Sequence, residues 1–283
     1  MPTAQSAHTA SELWDIATPA RPSRLPGVSM AAFSARTTGP VDLDVVPYPA
    51  VTVAVNLSDG LLTVDDSTGR RLGGTVVVGL AAGCVHGRGQ DIECLQLRLS
   101  PLVAHTVLAG CTESGGALVS LDDLWGREAG RTRERLHAAG SWQERFAIAE
   151  AALGRRHEAG RPVDPEVAFV WGRMLAHRGG VRVEQLATEV GWSRKRLWSR
   201  FRSQLGLTPK RAAQLVRFDH AAHRLAAGHS AALVAAEIGY ADQSHLHRDV
   251  VAFTGVTPTA VAAAPWLAVD DIAWAAPAYL SEA

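Results

Sequence analysis

Residues 191–209 read GWSRKRLWSRFRSQLGLTP, and the spacing of glycine, apolar and basic residues in this stretch decides the C-terminal fold. Gly191 stands where a tight turn between helices needs positive φ. Ser193 is placed to cap the next helix, in which Leu197, Phe201 and Leu205 fall at i, i+4 and i+8 and turn one face inward until Gly206 closes it. Upstream, Glu184 to Val190 forms a short amphipathic segment with Leu186, Ala187 and Val190 inside. Seven cations (Arg194, Lys195, Arg196, Arg200, Arg202, Lys210 and Arg211) fall within 191–211 with no acid among them. Such a run is either a solvated helix face or a surface that meets a polyanion. Two short helices about a glycine turn, the second with outward cations, predict a helix-turn-helix.

The pattern returns in residues 239–258, GYADQSHLHRDVVAFTGVTP. Ser230 starts a short helix with Leu233, Val234 and Ile238 inward, Gly239 makes the turn, and Asp242 or Ser244 opens a second helix through Leu246, Val250 and Phe253 to Gly255. Both units end alike, as Gly206-Leu207-Thr208-Pro209 and Gly255-Val256-Thr257-Pro258. Between them Thr208-Pro209 begins a helix that reaches about Ala227, with Gly228 as its stop. About 19 residues at 1.5 Å each span roughly 29 Å, close to the roughly 34 Å between successive major-groove openings on one side of a duplex. Before the first unit, Asp164-Pro165-Glu166 is a helix start with a capping carboxylate; Val167, Val170, Trp171, Met174 and Leu175 share a face, and Gly179-Gly180 ends it.

On Leu186-Ala187, Gly191-Trp192-Ser193, Leu197, Phe201, Ala235-Ala236-Glu237-Ile238-Gly239-Tyr240 and the two Gly-apolar-Thr-Pro endings, residues 164–264 resemble the DNA-binding domain of the AraC/XylS family. The resemblance implies seven helices carrying two helix-turn-helix units, in a bacterial transcription regulator whose other domain binds an effector or mediates dimerisation. It implies double-stranded promoter or operator DNA, a small-molecule effector, RNA polymerase and a second copy of the chain as partners, and neither cofactor nor metal.

With Leu197 and Phe201 inward, the opposite stripe of the first reading helix is Lys195, Trp198, Ser199 and Arg202. The family's base-contacting positions match Lys195, Trp198 and Ser199 here. Lys195 suits guanine O6 or N7 and Trp198 a thymine methyl, with core packing as the other reading of Trp198. Arg194, Arg196, Arg200 and Arg202 are assigned to phosphates. In the second unit Gln243, Ser244, His247 and Arg248 match the family's contacting positions, with Arg248 the permanent cation. Val250-Val251 stands where the family more often has Phe then Lys, which weakens the expected phosphate grip. His245, Asp219 and His220 are expected to be solvated, and Glu237 to cap or pair.

The N-terminal half differs in kind. Residues 1–45, rich in Ala, Pro, Ser and Thr, read as a loose arm with one early strand. Val51, Val53 and Val55 alternate with smaller or polar residues, and Asp59-Gly60 leads into Leu61–Val64, predicting a hairpin; Thr75–Gly79 with Cys94–Leu99 predicts another. Ser100-Pro101 starts a helix ending at Gly110; Leu121, Leu124 and Trp125 begin a second, and Trp142 to about Gly160 forms a third. The expected fold class is α+β in two domains: a β-rich regulatory domain (1–163), antiparallel and cupin-like with trailing helices, and an all-α reading domain (164–264). A tail (265–283) with Trp266, Trp274 and Tyr279 is expected to dock on the protein or a partner.

Charge follows this division. Residues 1–163 carry 15 arginines against 17 acids, and residues 164–265 carry 13 cations against 8 acids, so the positive charge is local. No stretch approaches the roughly 20 apolar residues of a membrane span, so a soluble cytoplasmic protein is expected. Cys84, Cys94 and Cys111 are odd in number and irregularly spaced, which argues against a disulfide framework or a zinc site. His86, Glu93, Cys94 and His105 lack metal-ligand spacing and are read as structural. No phosphate loop, dinucleotide fingerprint or Gly-x-Ser-x-Gly is present, and no catalytic residue is assigned. The alternative is a DNA repair enzyme transferring an alkyl group to a cysteine, which needs an activated thiolate; Cys111 is flanked by Thr112 and Glu113, not by His or Arg.

Overall fold

A computed structural model describes residues 14–35, 39–60, 62–81, 83–109 and 118–274. Gly110, Cys111, Thr112, Glu113 and Tyr279 lie outside the described residues, as does the arm before Trp14. The N-terminal half is built from strands β1 (Trp14–Ala17), β2 (Val28–Ala35), β3 (Val41–Val45), β4 (Val51–Asn56), β5 (Thr63–Asp66), β6 (Arg71–Gly73), β7 (Thr75–Val78), β8 (Val85–Gly89), β9 (Glu93–Leu99) and β10 (Leu118–Ser120). They form two antiparallel sheets, ordered β1-β2-β9-β4-β7-β10 and β3-β8-β5-β6.

Three expectations for this half are corrected. The stretch expected to be a loose arm holds three strands; β2, with its run of small residues, is buried at Val28, Met30, Ala31, Ala32 and Phe33 because it lies inside the larger sheet between β1 and β9. The chain after β4 does not fold back as a hairpin. Asn56 bonds the Gly60 carbonyl through its side-chain amide at 2.7 Å, and the chain crosses into the other sheet, where β5 pairs with β6 and β8. Nor do β7 and β9 pair with each other: β4 lies between them, with Val53 opposite both Val77 and Leu97. Alternation of apolar residues located these strands; it carries no information on which strand lies beside which.

Four helices follow β9 in sequence. Ser100 Oγ accepts the Val103 amide to start α1 (Pro101–Val107). Gly126, at φ 57°, breaks the next helical run into α2 (Leu121–Trp125) and α3 (Arg127–Ala138), and α4 spans Trp142–Ala159. Their apolar faces join the larger sheet in a core that includes Leu97, Trp125, Phe146 and Leu153.

The C-terminal half comprises α5 (Pro165–Ala176), α6 (Val183–Glu189), α7 (Arg194–Leu205), α8 (Pro209–Ala226), α9 (Ala231–Ile238), α10 (Gln243–Thr254) and α11 (Pro258–Ala262), the seven helices expected. Gly191 and Gly239 take φ of 67° and 79° in the two turns, and Gly206 and Gly255 end α7 and α10 at 81° and 74°. Ser193, Thr208, Ser230, Asp242 and Thr257 each accept an amide hydrogen bond as N-caps. A last helix, α12 (Pro265–Ala273), packs against β1, β2 and β3 and against α8, so this part of the tail docks on its own chain. No helix among the described residues is long and apolar enough to cross a membrane.

Gly179 shows how closely the turn after α5 approaches α8. At φ +75°, a Cβ there would lie 2.1 Å from the Ala213 carbonyl oxygen and 2.8 Å from the Arg217 nitrogen. Gly228, at φ +86°, has nothing within 4 Å of the same position. Gly179→Ala is expected to lower stability by about 2–4 kcal/mol, from left-handed strain plus backbone overlap, and Gly228→Ala by about 1 kcal/mol from strain alone. Urea unfolding of the two variants checks this; equal losses would show that the backbone contact at Gly179 contributes nothing.

Candidate nucleic-acid interface

The first reading helix, α7, buries Leu197, Phe201, Gln204 and Leu205. Its expected contact residues Arg194, Lys195, Arg196, Trp198, Ser199, Arg200 and Arg202 are all exposed, and Trp198, at 46% exposure, is not a core residue. The cations differ in how they are held. Arg196 lies over the buried Trp192 ring at 4.4 Å, Arg202 over Trp198 at 5.1 Å, and Arg194 is 3.5 Å from Glu184. Arg200 is more tightly engaged: its Nε and Nη2 each donate to Asp164 at 2.7 Å, and the guanidinium holds the Asp164 carboxyl below its ordinary range. Asp164, expected to cap α5 through its side chain, makes no such cap because its carboxylate is committed to Arg200. Its amide donates to Gln204 Oε1 at 3.0 Å, so the start of α5 is stitched to the inner side of α7.

In the second unit α10 buries Leu246, Asp249, Val250, Phe253 and Thr254 and exposes Gln243, Ser244, His247, Arg248 and Val251. The structure therefore separates the two valines that depart from the family pattern: Val250 belongs to the core, and Val251 is 38% exposed. His245, expected in solvent, is half-buried edge-on to Tyr240, with ring centroids 5.2 Å apart.

Three arginines of α8 hold the second unit in place. Arg211 lies 3.5 Å from the Phe253 ring centre and donates to the Ala252 carbonyl at 3.2 Å. Arg217 donates to Asp249 at 3.0 Å and covers Tyr240 at 4.5 Å; Arg224 pairs with Glu237 at 2.5 Å. Arg211, counted by sequence in the basic run, is thus half-buried in the fold.

Asp219 and His220, expected in solvent, are also corrected. The side of α8 that carries them faces the rest of the chain: Asp219 is 4% exposed and His220 is half-buried, with its pKa pushed below the ordinary value by burial. Beside them His223 donates from Nδ1 to the Asp219 backbone carbonyl (2.8 Å) and from Nε2 to the Asp270 carboxylate of α12 (3.2 Å). The other Asp270 oxygen takes Arg98 of β9 at 3.0 Å, with both partners about 5% exposed. Burial lifts Asp219 to about 6. At His223 burial opposes the charged form, but the Asp270 hydrogen bond and the Asp219 charge outweigh it and raise the imidazole to about 9. Sequence reading missed this cluster, because Arg98, His223 and Asp270 come from three distant segments.

The same cluster edges a cavity of about 160 Å³ between the two sheets. Phe33, Ala54, Val64 and Val85 line it from the strands, Val269 and Trp274 from the tail, and Arg98 and Asp270 from the cluster.

The residues considered as metal ligands are separated by the fold. His86 pairs with Asp42 and Asp44 on the outside of β3 and β8, Glu93 takes Arg145 at 2.5 Å, and His105 lies on α1 near Gln204. Among the described residues no group of three His, Cys, Asp or Glu is arranged for a metal. Burial raises the Cys84 thiol to about 11 and Cys94 to about 12, which disfavours a thiolate at either.

Since His223 stands at about 9, above the ordinary imidazole value of about 6.5, its contribution to stability is full below about pH 6.5 and is lost as pH rises through about 9. Thermal unfolding midpoints should therefore fall between about pH 7 and 9.5, and His223→Gln should flatten that decline. An unchanged slope in the variant would locate the titration elsewhere.

A family model described as a helix-turn-helix domain matches residues 186–264. No curated protein matches the chain by sequence. Among solved structures, ToxT from Vibrio cholerae is similar at 9% identity and a TM-score of 0.49, over 83% of this chain and 98% of that one. ToxT from Vibrio cholerae O395 bound to (E)-4-(8-methylnaphthalen-1-yl)but-3-enoic acid gives 9% and 0.48, over 86% and 99%. The AraC-like transcriptional activator CuxR gives 18% and 0.28, over 71% and 84%. The two glycine-turned units, the cations exposed on α7 and the matched family model together identify the C-terminal region as an AraC-type helix-turn-helix domain, and the chain as a DNA-binding transcription regulator.

Proposed function

We infer that the protein reads one operator through two successive major grooves, with α7 in one and α10 in the next, and that its N-terminal half controls this reading through a bound effector. The observation that carries the reading is the repetition of the unit at both ends of one helix: α8 has 18 residues, about 27 Å at 1.5 Å each, a rigid spacer of the length two neighbouring grooves require. Residues 1–163 form the regulatory unit, 164–264 the reading unit, and 265–283 a tail whose helix α12 joins them.

Lys195, Trp198 and Ser199 read base edges in the first groove. Arg194, Arg196 and Arg202 take phosphates, and Arg200 does so on leaving Asp164. Gln243, Ser244, His247 and Arg248 occupy the second groove, where one permanent cation makes a weaker electrostatic contribution. The protein works as a homodimer in the cytoplasm, next to RNA polymerase, and the cavity between the sheets is the effector site. An apolar cavity with a few convergent polar groups is the usual form of such a site.

Titration of the full chain against its own upstream DNA tests the reading. Specific binding should weaken steeply with salt as counterions are released. Lys195→Ala with Trp198→Ala should cost about 1–3 kcal/mol of discrimination per lost base contact, while Arg202→Ala should weaken all sequences alike and reduce the salt slope by about 1. Equal losses on specific and random DNA in the double variant would overturn the assignment of base-reading residues.

A further inference from the structure

We propose that the cavity takes a compact, uncharged single-ring compound and that α12 forms one wall of its site, so that ligand binding and the docking of α12 stabilise each other. This rests on the effector reading of the cavity and adds the ligand's chemical class and the element it acts on.

Size comes first. The cavity is about 160 Å³, and an apolar cavity of roughly 150 Å³ stays dry and accommodates benzene. Aliphatic and aromatic side chains dominate its lining, while Thr52 and Gln96 on its wall can meet one hydroxyl or carbonyl.

Charge decides the class. Arg98 lines the cavity, but its guanidinium is already neutralised by Asp270 at 3.0 Å and covered by Tyr48 and Trp274, at 3.7 and 4.2 Å from the ring centres. The cluster's two cations, Arg98 and His223, are already matched by the two carboxylates Asp270 and Asp219, so an entering carboxylate would stand beside the buried Asp270 with no unmatched cation to compensate it, an unfavourable placement in a low-dielectric wall. A neutral ring loses nothing on entry.

The coupling follows from which elements touch the occupant. Val269, Asp270 and Trp274 come from the C-terminal segment, and Val269, Ala273 and Trp274 share a buried cluster with Trp14, Phe33 and Ala54. Through Asp270 and His223 the same segment is tied to α8, which carries both reading units. A ligand that needs the docked wall suppresses its opening by the factor 1 + [L]/Kd.

Benzyl alcohol and benzoate, which share a carbon skeleton and differ in charge, are suitable probes for calorimetry on the full chain. The parent should bind benzyl alcohol at least tenfold more tightly than benzoate. Asp270→Asn, which removes the carboxylate charge beside Arg98, should erase or reverse that preference. Ala54→Phe, which fills the cavity from β4, should abolish binding of benzyl alcohol. At a concentration about nine times Kd, benzyl alcohol should slow hydrogen exchange of the 267–274 amides about tenfold.

Benzoate binding the parent as well as the alcohol overturns the ligand class, and binding without slower exchange overturns the coupling. Binding undiminished in Ala54→Phe overturns the location. Failure of both probes to bind the parent overturns the effector reading itself. Should Asp270→Asn not fold, the parent's preference and Ala54→Phe decide.

Discussion

Each helix from α5 to α12 packs directly on α8 or on a neighbour that does, and α8 can serve this way because it is buried on more than one side. Ala212, Leu215, Val216, Phe218, Ala221, Ala222 and Leu225 supply the apolar surface, and Phe218 stacks on Phe253 of α10 at 4.9 Å. A single continuous helix with no internal glycine or proline transmits position along its length, so the two reading units keep a defined separation. That rigidity is a constraint on the rest of the half: the turn after α5 approaches α8 so closely at Gly179 that no side chain fits there.

The charge of this half is spent in two ways. Some cations face outward on α7, with Lys195 and Arg202 on the exposed stripe. Others fasten one part of the chain to another: Arg200 on Asp164, Arg211 on Phe253, Arg217 on Asp249 and Tyr240, Arg224 on Glu237. Guanidinium suits the second task, because it stacks on rings and donates in a fork at the same time. A local excess of positive charge therefore overstates the number of groups free to meet a phosphate, and the difference is set by which acids and rings lie opposite.

The Arg98–Asp270–His223–Asp219 cluster gives the molecule a polar connection between halves, beside the apolar core they share. It brings β9, the tail and α8 to one buried point beside a cavity. Buried charges such as those of Arg98, Asp219 and Asp270 persist only when each has a partner, which makes their alignment a condition on how the sheet, tail and strut are mutually placed.

The sequence by itself determined the elements whose rules are local. Caps at Ser193, Thr208 and Ser230, left-handed glycines at 191, 206, 239 and 255, and the inward stripe Leu197–Phe201–Leu205 each depend on a few neighbouring residues, and all stand in the structure. Only the tertiary structure decided which strands adjoin, since β4 between β7 and β9 satisfies the same alternation as a chain of hairpins. It alone turned Asp219 and His220 inward, engaged Arg200 and Arg211, and assembled the cavity and its ion cluster. Those features join distant residues, Arg98 and Asp270 being 172 positions apart, and periodicity along a chain holds no information about contacts between segments so distant.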